Sequence, residues 1–357
     1  MGVEGRRSAT KWIVAIAVAA VIIGSAVTYF FYVPAIQPTP QTLTPKYKMA
    51  LVLGGDETDA GWSMMAINGV NLVKEKYGWQ VDISRLVPFP DQARVISDYA
   101  QRGYDVVWTH GGQFTGTTYE VANQFPNTIF VQTPGPGQQT PPPNVVALGP
   151  AFQVTGFYQA GVLAGKMTKT NAVAVVFGQW FDYLAMEFYA FKAGAESVNP
   201  NIKVYARVAG TWGDASLGFE ITRSLIQTKN VDVIAQVADT TGRGVIAASQ
   251  QFKIKVIGTV GDQAVLAPDA TLTSVMMDTP RFIETIVKSI IEDTFKQNYT
   301  GKVVHMDLGY LAPFHQFENE VPQEVKDLLK TTVEGIESGK IVVPRTYTNE
   351  PPADPPN

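Results

Sequence analysis

From residue 47 onward, short apolar runs alternate with longer stretches in which apolar residues recur every three or four positions. Short apolar runs bounded by glycine or proline are typical of buried strands, and the longer periodicity is typical of amphipathic helices. The predicted strands are 48–55, 79–87, 104–112, 127–135, 144–152, 172–179, 202–210, 231–239 and 255–262. The predicted helices are 63–78, 91–103, 115–126, 157–169, 184–200, 214–230, 241–252, 280–297 and 324–340.

Strands and helices that alternate at this spacing indicate βαβ units, in which the strands form parallel sheets. The alternation runs through two consecutive sets that divide near residue 150. We therefore expect an α/β fold with two doubly wound parallel-sheet lobes and a ligand cleft between them. In open parallel sheets a ligand binds outside the carboxyl ends of the strands, so the cleft residues should be those that directly follow strands.

The apolar pattern near the N-terminus is different, because residues 12–33 form one run without a charged residue. About 20 apolar residues are enough for a helix to cross a bilayer. Arg6, Arg7 and Lys11 precede the run, and this positive flank should stay in the cytoplasm. We expect residues 1–46 to form a single-pass transmembrane helix with a Pro/Thr linker. The alternative is a signal peptide cleaved after Ala26.

Composition excludes several classes of protein. The chain has 357 residues, a net charge of -4, three histidines and no cysteine. The weak acidic balance argues against a nucleic-acid partner, which needs a basic face. Without cysteine there is neither a disulfide nor a lipid-modified cysteine, and no histidine pair has metal-ligand spacing. No nucleophile motif such as GxSxG is present. We expect no catalytic residues, no metal and no cofactor.

The loops after the predicted strands combine turn glycines with aromatic or acidic residues. Examples are GGDETDAGW at 54–62, AGTWGDA at 209–215, VADTTGRGV at 237–245 and IGTVGDQ at 257–263. Two tryptophans from opposite lobes could enclose a flat ring, and carboxylates could accept hydrogen bonds from its edge. Asp214 also suits a plain helix N-cap. The candidate ligand-binding residues are Asp59, Trp62, His110, Phe181, Trp212, Asp214, Asp239, Gly242 and Asp262.

Six segments occur in the order found in a known family. They include DAGW at 59–62, AGVLAGKMTKTNAVAVV, FYAFKAGAESVNPNIKV, GTWGDASLG and VIGTVGDQAVLAPDATLTSV. The chain resembles the basic membrane protein family of substrate-binding proteins for ABC importers, which includes purine nucleoside receptors. The resemblance runs from about Lys48 to Pro344 and implies a fold like that of type I periplasmic binding proteins.

The resemblance also implies roles for individual residues. Trp62 and Trp212 match the two aromatic residues that stack on the base, and Asp59 matches the acid near the base. Asp262 matches an acid that holds ribose, and Gly242 matches a glycine that approaches the ligand. One departure is that Met276 and Met277 occupy the place where many nucleoside receptors have a lysine that reaches the sugar. The choice between nucleoside and free base therefore stays open.

Taken with the resemblance, the sequence predicts an extracytoplasmic, membrane-anchored binding protein. It would capture a purine nucleoside or nucleobase and deliver it to the permease subunits of an ABC importer. The alternatives are a pentose-binding protein of the same architecture and a nucleoside-cleaving enzyme. The expected parts are a lobe of residues 47–146 plus 278–307, a lobe of 147–277 plus 308–345, a disordered tail at 346–357, and hinge crossings near 145–152, 275–280 and 306–312.

Overall fold

The structure is a computed structural model, and it describes residues 46–59, 61–134 and 140–356. The run 12–33, predicted to be a membrane helix, and the linker up to residue 45 lie outside these residues. Among the residues that the structure describes, no helix combines the length and the apolar character that a membrane span requires.

The described residues form strands and helices that alternate along most of the chain. The strands are β1 (Lys48–Leu53), β2 (Gln80–Ser84), β3 (Val106–His110), β4 (Ile129–Thr133), β5 (Val145–Leu148), β6 (Ala172–Phe177), β7 (Lys203–Val208), β8 (Val233–Val237), β9 (Lys255–Val260), β10 (Thr271–Met277), β11 (Lys302–Val304) and β12 (Gly309–Leu311). The helices are α1 (Trp62–Tyr77), α2 (Gln92–Gln101), α3 (Thr115–Gln124), α4 (Val154–Met167), α5 (Asp182–Val198), α6 (Ala215–Lys229), α7 (Asp239–Phe252), α8 (Thr279–Ile291), α9 (Phe295–Asn298) and α10 (Gln323–Glu337).

The strands form two six-stranded sheets with matching topology. The first has the order β11-β5-β4-β3-β1-β2, and the second has the order β12-β10-β9-β8-β6-β7. Neighbouring strands are parallel throughout the first sheet. In the second sheet only β12 runs antiparallel to its neighbour, β10. The predicted α/β fold with two parallel-sheet lobes is confirmed.

Each sheet is buried on both faces, which explains why its strands are almost continuously apolar. In β1, Met49, Leu51 and Leu53 belong to one core cluster, whereas Ala50 and Val52 belong to another. Side chains of a strand alternate between the two faces of its sheet, so these clusters lie on opposite faces. The strand β6 divides its residues between two clusters in the same way. Helices therefore cover both faces of each sheet.

The chain passes between the two sheets three times: after β5, after β10, and between β11 and β12. Hydrogen bonds tie these crossings together. The N–H of Leu308 donates to the carbonyl of Phe152 at 2.7 Å, and the N–H of Asp278 donates to the carbonyl of Leu308 at 3.0 Å. The Asp307 carboxylate accepts the N–H and the hydroxyl of Thr155, near the start of α4, at 3.1 and 2.8 Å. The crossings thus form one hydrogen-bonded hinge.

Several elements differ from the sequence-based expectation. The strand β10 was not predicted, and β11 and β12 are too short, at three residues each, for a periodic pattern to reveal them. The helix predicted over 280–297 ends at Ile291, since Asp293 has a φ of 55°, which an α-helix does not allow. The segment 346–356, expected to be disordered, makes specific contacts with the second lobe.

Candidate functional site

The Trp62 ring stacks on the ring of His110. Trp62 is the first residue of α1 and His110 is the last residue of β3, so both lie at the carboxyl edge of the first sheet. The two ring centroids are 3.9 Å apart and the planes differ by 17°. His110 is fully buried, whereas Trp62 keeps part of its surface exposed. One face of the indole is therefore backed by a fixed imidazole.

Hydrogen bonds hold His110 in one orientation and one tautomer. Thr133 Oγ1 accepts the indole N–H of Trp108 at 2.7 Å and lies 2.5 Å from His110 Nδ1. The hydroxyl can then donate to Nδ1, which leaves the ring proton on Nε2, 3.1 Å from the carbonyl of Trp62. Burial lowers the pKa of His110 to about 3, so the ring is neutral at physiological pH. His110 thus supports Trp62 without carrying charge.

Asp59 caps the first turn of α1. Its Oδ1 accepts the N–H groups of Gly61 and Met64 at 2.9 and 3.2 Å, and its Oδ2 accepts the N–H of Ser63 at 2.6 Å. These are N–H groups that have no partner inside the helix, and a carboxylate also suits the positive end of the helix dipole. The resemblance suggests that Asp59 binds the base edge, but the geometry assigns most of its acceptor capacity to the helix.

Asp239 brings a second carboxyl group toward Asp59 from the opposite lobe. It is the first residue of α7, directly beyond β8, and has a φ of 47°. Burial, followed by the nearby charge of Asp59, raises the pKa of Asp239 to about 7. Burial and the Asp59 charge are the causes of the shift, and no described residue forms a hydrogen bond with the Asp239 side chain. A residue in a sparsely populated backbone conformation, whose carboxyl oxygens accept no hydrogen bond from the protein, is typical of a ligand contact.

A series of aromatic rings links the first lobe to the second through the hinge. The centroids of Trp62 and Phe152 are 6.2 Å apart, and those of Phe152 and Tyr183 are 5.7 Å apart. The Phe181 ring then stacks on Tyr183 at 5.8 Å, and Phe181 is largely exposed. Burial, with contributions from Glu187 and then Asp239, raises the pKa of Tyr183, so its phenol stays protonated. These distances are typical of favourable aromatic pairs.

Phe152 and Tyr183 are not among the candidate ligand-binding residues named from the sequence. Tyr183 follows β6, where cleft residues were expected, next to Asp182 and after the turn glycine Gly178, but only Phe181 was named as a candidate from this segment. Phe152 lies at the end of the crossing predicted near 145–152, but a single phenylalanine in an apolar stretch does not indicate that its ring will contact Trp62 and Tyr183.

Trp212 and Asp214 lie at the edge of the second sheet, before α6. The Trp212 ring lies against Gly178, where a Cβ would be 2.7 Å from Cδ2 of the indole. Trp212 forms no ring pair with Trp62 within the described part of the chain. The Asp214 carboxylate accepts the N–H of Leu217 at 3.0 Å, as an ordinary N-cap does. Trp212 and Asp214 thus both belong to the second lobe, and the Asp214 carboxylate has a structural role as a helix cap.

Gly242 and Asp262 also have structural contacts. A Cβ on Gly242 would overlap the side-chain amide of Gln236, so this glycine allows close packing within the second lobe. Asp262 Oδ2 lies 2.6 Å from Nε2 of His315, and Oδ1 accepts the N–H of Ala264 at 3.2 Å. The ribose-binding role implied for Asp262 stays a prediction, and its carboxylate already has two partners.

The geometry defines a class of protein: two parallel-sheet lobes, hydrogen-bonded hinge crossings, and aromatic and acidic side chains at the facing strand ends. This is the architecture of a two-lobed solute-binding protein. A model of the family described as ABC transporter substrate-binding protein PnrA-like matches residues 46–336. The chain belongs to this family, which confirms the resemblance to the basic membrane proteins.

Known proteins with detectable similarity are consistent with this assignment. A purine-binding protein of Brucella abortus is 26% identical over 299 residues, covering 83% of this chain and 82% of that protein. Basic membrane protein A of Borreliella afzelii is 24% identical over 306 residues, covering 83% and 91%. The solved structure of an ABC transporter solute-binding protein from Conexibacter woesei has a TM-score of 0.69 and 21% identity, covers 85% of this chain and all of that chain, and shares the fold.

Proposed function

We propose that this protein captures a purine nucleobase or nucleoside between its lobes outside the cytoplasm and delivers it to an ABC importer. Membership in the substrate-binding family supports the transport role, and the purine-binding relative supports the ligand class. The observation that carries the proposal is Trp62, an indole with one face fixed on a neutral imidazole. The carboxyl group of Asp239, from the opposite lobe, is close enough to Asp59 to feel its charge and has no hydrogen-bond partner among the described residues.

A fixed indole is well suited to bind a flat heterocycle. Stacking of one aromatic side chain on a base contributes about 1–3 kcal/mol. Because His110 already holds Trp62, little conformational entropy of the indole remains to be lost on binding. A neutral imidazole behind the ring also avoids placing a buried cation beside an uncharged ligand.

Asp239 is the best candidate for the acceptor of the base N–H groups. Asp59 already accepts three backbone N–H groups, whereas the Asp239 carboxyl has no hydrogen-bond partner among the described residues. A purine N–H donor would stabilise the ionised form of Asp239 and offset the unfavourable interaction with the Asp59 charge. Capture of the ligand would then favour the arrangement in which the two lobes face each other closely.

Contacts around the expected ribose site favour a free base over a nucleoside. Asp262 is paired with His315. Of the two methionines at the place expected for a sugar-binding lysine, Met277 is fully buried in the core of the first lobe and Met276 is half-buried. A pentose alone has no aromatic ring that could form a π-stack with the Trp62 indole. The membrane-anchored location, through residues 12–33, belongs to the same proposal and follows from the charge-free run and its positive flank.

Calorimetric titration of the full-length protein with adenine, adenosine and ribose tests the proposal. We expect adenine to bind, adenosine to bind more weakly, and ribose not to bind. Trp62→Ala should weaken adenine binding about ten- to a hundredfold, because each 1.4 kcal/mol corresponds to a factor of ten. Trp79→Phe is the matched control, since Trp79 is buried against Tyr47 at the opposite end of the strands. Binding of ribose with no binding of either purine would identify a sugar-binding protein instead.

A further inference from the structure

The last residues of the chain run over the second lobe without forming a helix or a strand. This C-terminal strap, defined as residues 342–356, follows α10 and is rich in proline. Proline-rich segments are semi-extended, and they hold a fixed path only where side chains or backbone groups attach them. Thr348 and Asp354 of the strap make polar attachments of this kind, and Val343 packs against the apolar core of the second lobe.

The first attachment joins the strap to Trp180. The indole N–H of Trp180 donates to the Thr348 carbonyl at 2.9 Å. The same indole packs edge-on against Phe177, with centroids 5.2 Å apart, and against Phe188 at 6.1 Å. Core residues thus hold one side of Trp180, and the strap satisfies its only polar group.

The second attachment is an ion pair at the edge of the second sheet. Asp354 accepts two hydrogen bonds from Arg207, at 2.6 and 3.0 Å, and lies 2.9 Å from Lys229 Nζ. Arg207 lies on β7, the edge strand, and Lys229 ends α6. The hydrogen bonds from Arg207 lower the pKa of Asp354 to about 2, so the pair stays charged across the physiological range.

Trp180 belongs to a short loop, 178–181, that contains one aromatic site candidate, Phe181, and contacts another, Trp212. Gly178 at its start lies against the Trp212 ring, and Phe181 at its end stacks on Tyr183. The Gln179 side-chain amide also donates to the carbonyl of Gly210 at 2.5 Å, which ties this loop to the one before Trp212. A displacement of Trp180 would therefore move both aromatic candidates of the second lobe.

We propose that the C-terminal strap is a positioning element that holds loop 178–181, and through it Phe181 and Trp212, in the arrangement that binds ligand. Trp180, Arg207, Thr348 and Asp354 are then positioning residues. The effect on ligand affinity rests on the proposed purine-binding function, whereas the effect on the loop does not.

Hydrogen exchange of the ligand-free, full-length protein tests the loop. A variant that lacks residues 345–357 should exchange about tenfold faster at the backbone amides of 178–183 and 209–214 than the wild type. Exchange near His110 in the first lobe should not change. Removal of residues 355–357 alone is the matched control, because it keeps both attachments and should leave exchange unaltered. Equal exchange at 178–183 in all three proteins would overturn the proposal.

Point variants separate positioning from general destabilisation. Trp180→Phe keeps an aromatic ring but removes the N–H donor, and Asp354→Ala removes the ion pair. Both variants should exchange faster at 178–183 and bind adenine about three- to tenfold more weakly than the wild type. Asp354→Glu keeps the carboxylate and should have wild-type exchange and wild-type adenine affinity. Faster exchange with unchanged adenine affinity would refute the role in ligand binding. A wild type that binds no purine would refute the proposed function, while the exchange comparison would still decide whether the strap holds the loop.

Discussion

Replacing Asp239 by Asn should stabilise the ligand-free protein at alkaline pH but not at acidic pH. The pKa of Asp239 is raised from its ordinary value of 3.8 to about 7 by burial and by the charge of Asp59. The native state therefore keeps a proton that the unfolded chain releases above about pH 4. By linkage, the free energy of unfolding of the wild type falls as pH rises from about 4 to about 7, and then levels off.

The size of the effect follows from the two pKa values. At about 1.4 kcal/mol for each pH unit between them, a complete shift corresponds to about 4 kcal/mol. Asp239 keeps part of its surface accessible to solvent, which screens the interaction, and we expect about half of that value, about 2 kcal/mol. Asn has a similar shape and also tolerates the positive φ at this position, so the backbone should not change.

Urea unfolding followed by tryptophan fluorescence at pH 4.5 and pH 8.5 measures this difference. Asp239→Asn should match the wild type at pH 4.5 and exceed it by about 2 kcal/mol at pH 8.5. Asp214→Asn is the matched control, because it makes the same substitution at a helix N-cap, where Asn and Asp are about equally favourable. An Asp239→Asn protein that is no more stable than the wild type at pH 8.5 would refute a protonated Asp239 facing Asp59.

Three further predictions concern single side chains. Trp62→Phe should retain most of the adenine affinity that Trp62→Ala loses, and equal affinities of the two variants by calorimetry would exclude stacking. Asp59→Ala should cost about 1–2 kcal/mol in urea unfolding, through loss of the α1 cap, with Asn at this position costing less. Glu187 is fully buried, and burial together with Asp307 raises its pKa well above the ordinary value. Glu187→Gln should therefore unfold like the wild type near pH 5 but be more stable at pH 9, and a loss of stability at both pH values would contradict a neutral Glu187.

Local sequence patterns were sufficient to predict the two lobes, and they also predicted which loops carry the candidate site residues. Strands such as 48–53 and 172–177 are buried on both faces, so their sequences are continuous apolar runs ended by glycine. Because ligand sites in parallel sheets lie beyond the carboxyl ends of strands, the order of strands and loops alone pointed to Trp62, His110 and Asp239. The six family segments added the expectation of a purine ligand, which periodicity does not contain.

The use of each candidate side chain was decided only by tertiary structure. Asp59 and Asp239 have the same chemistry and similar positions after strands. Asp59 nevertheless caps a helix, whereas Asp239 is close to the Asp59 charge and has no side-chain hydrogen bond among the described residues. Whether His110 is charged depends on its burial, which the residue type does not reveal. The pairings of Phe152 with Tyr183 across the hinge join residues distant in sequence. Such contacts arise from packing between elements, and no local pattern encodes which distant groups will meet.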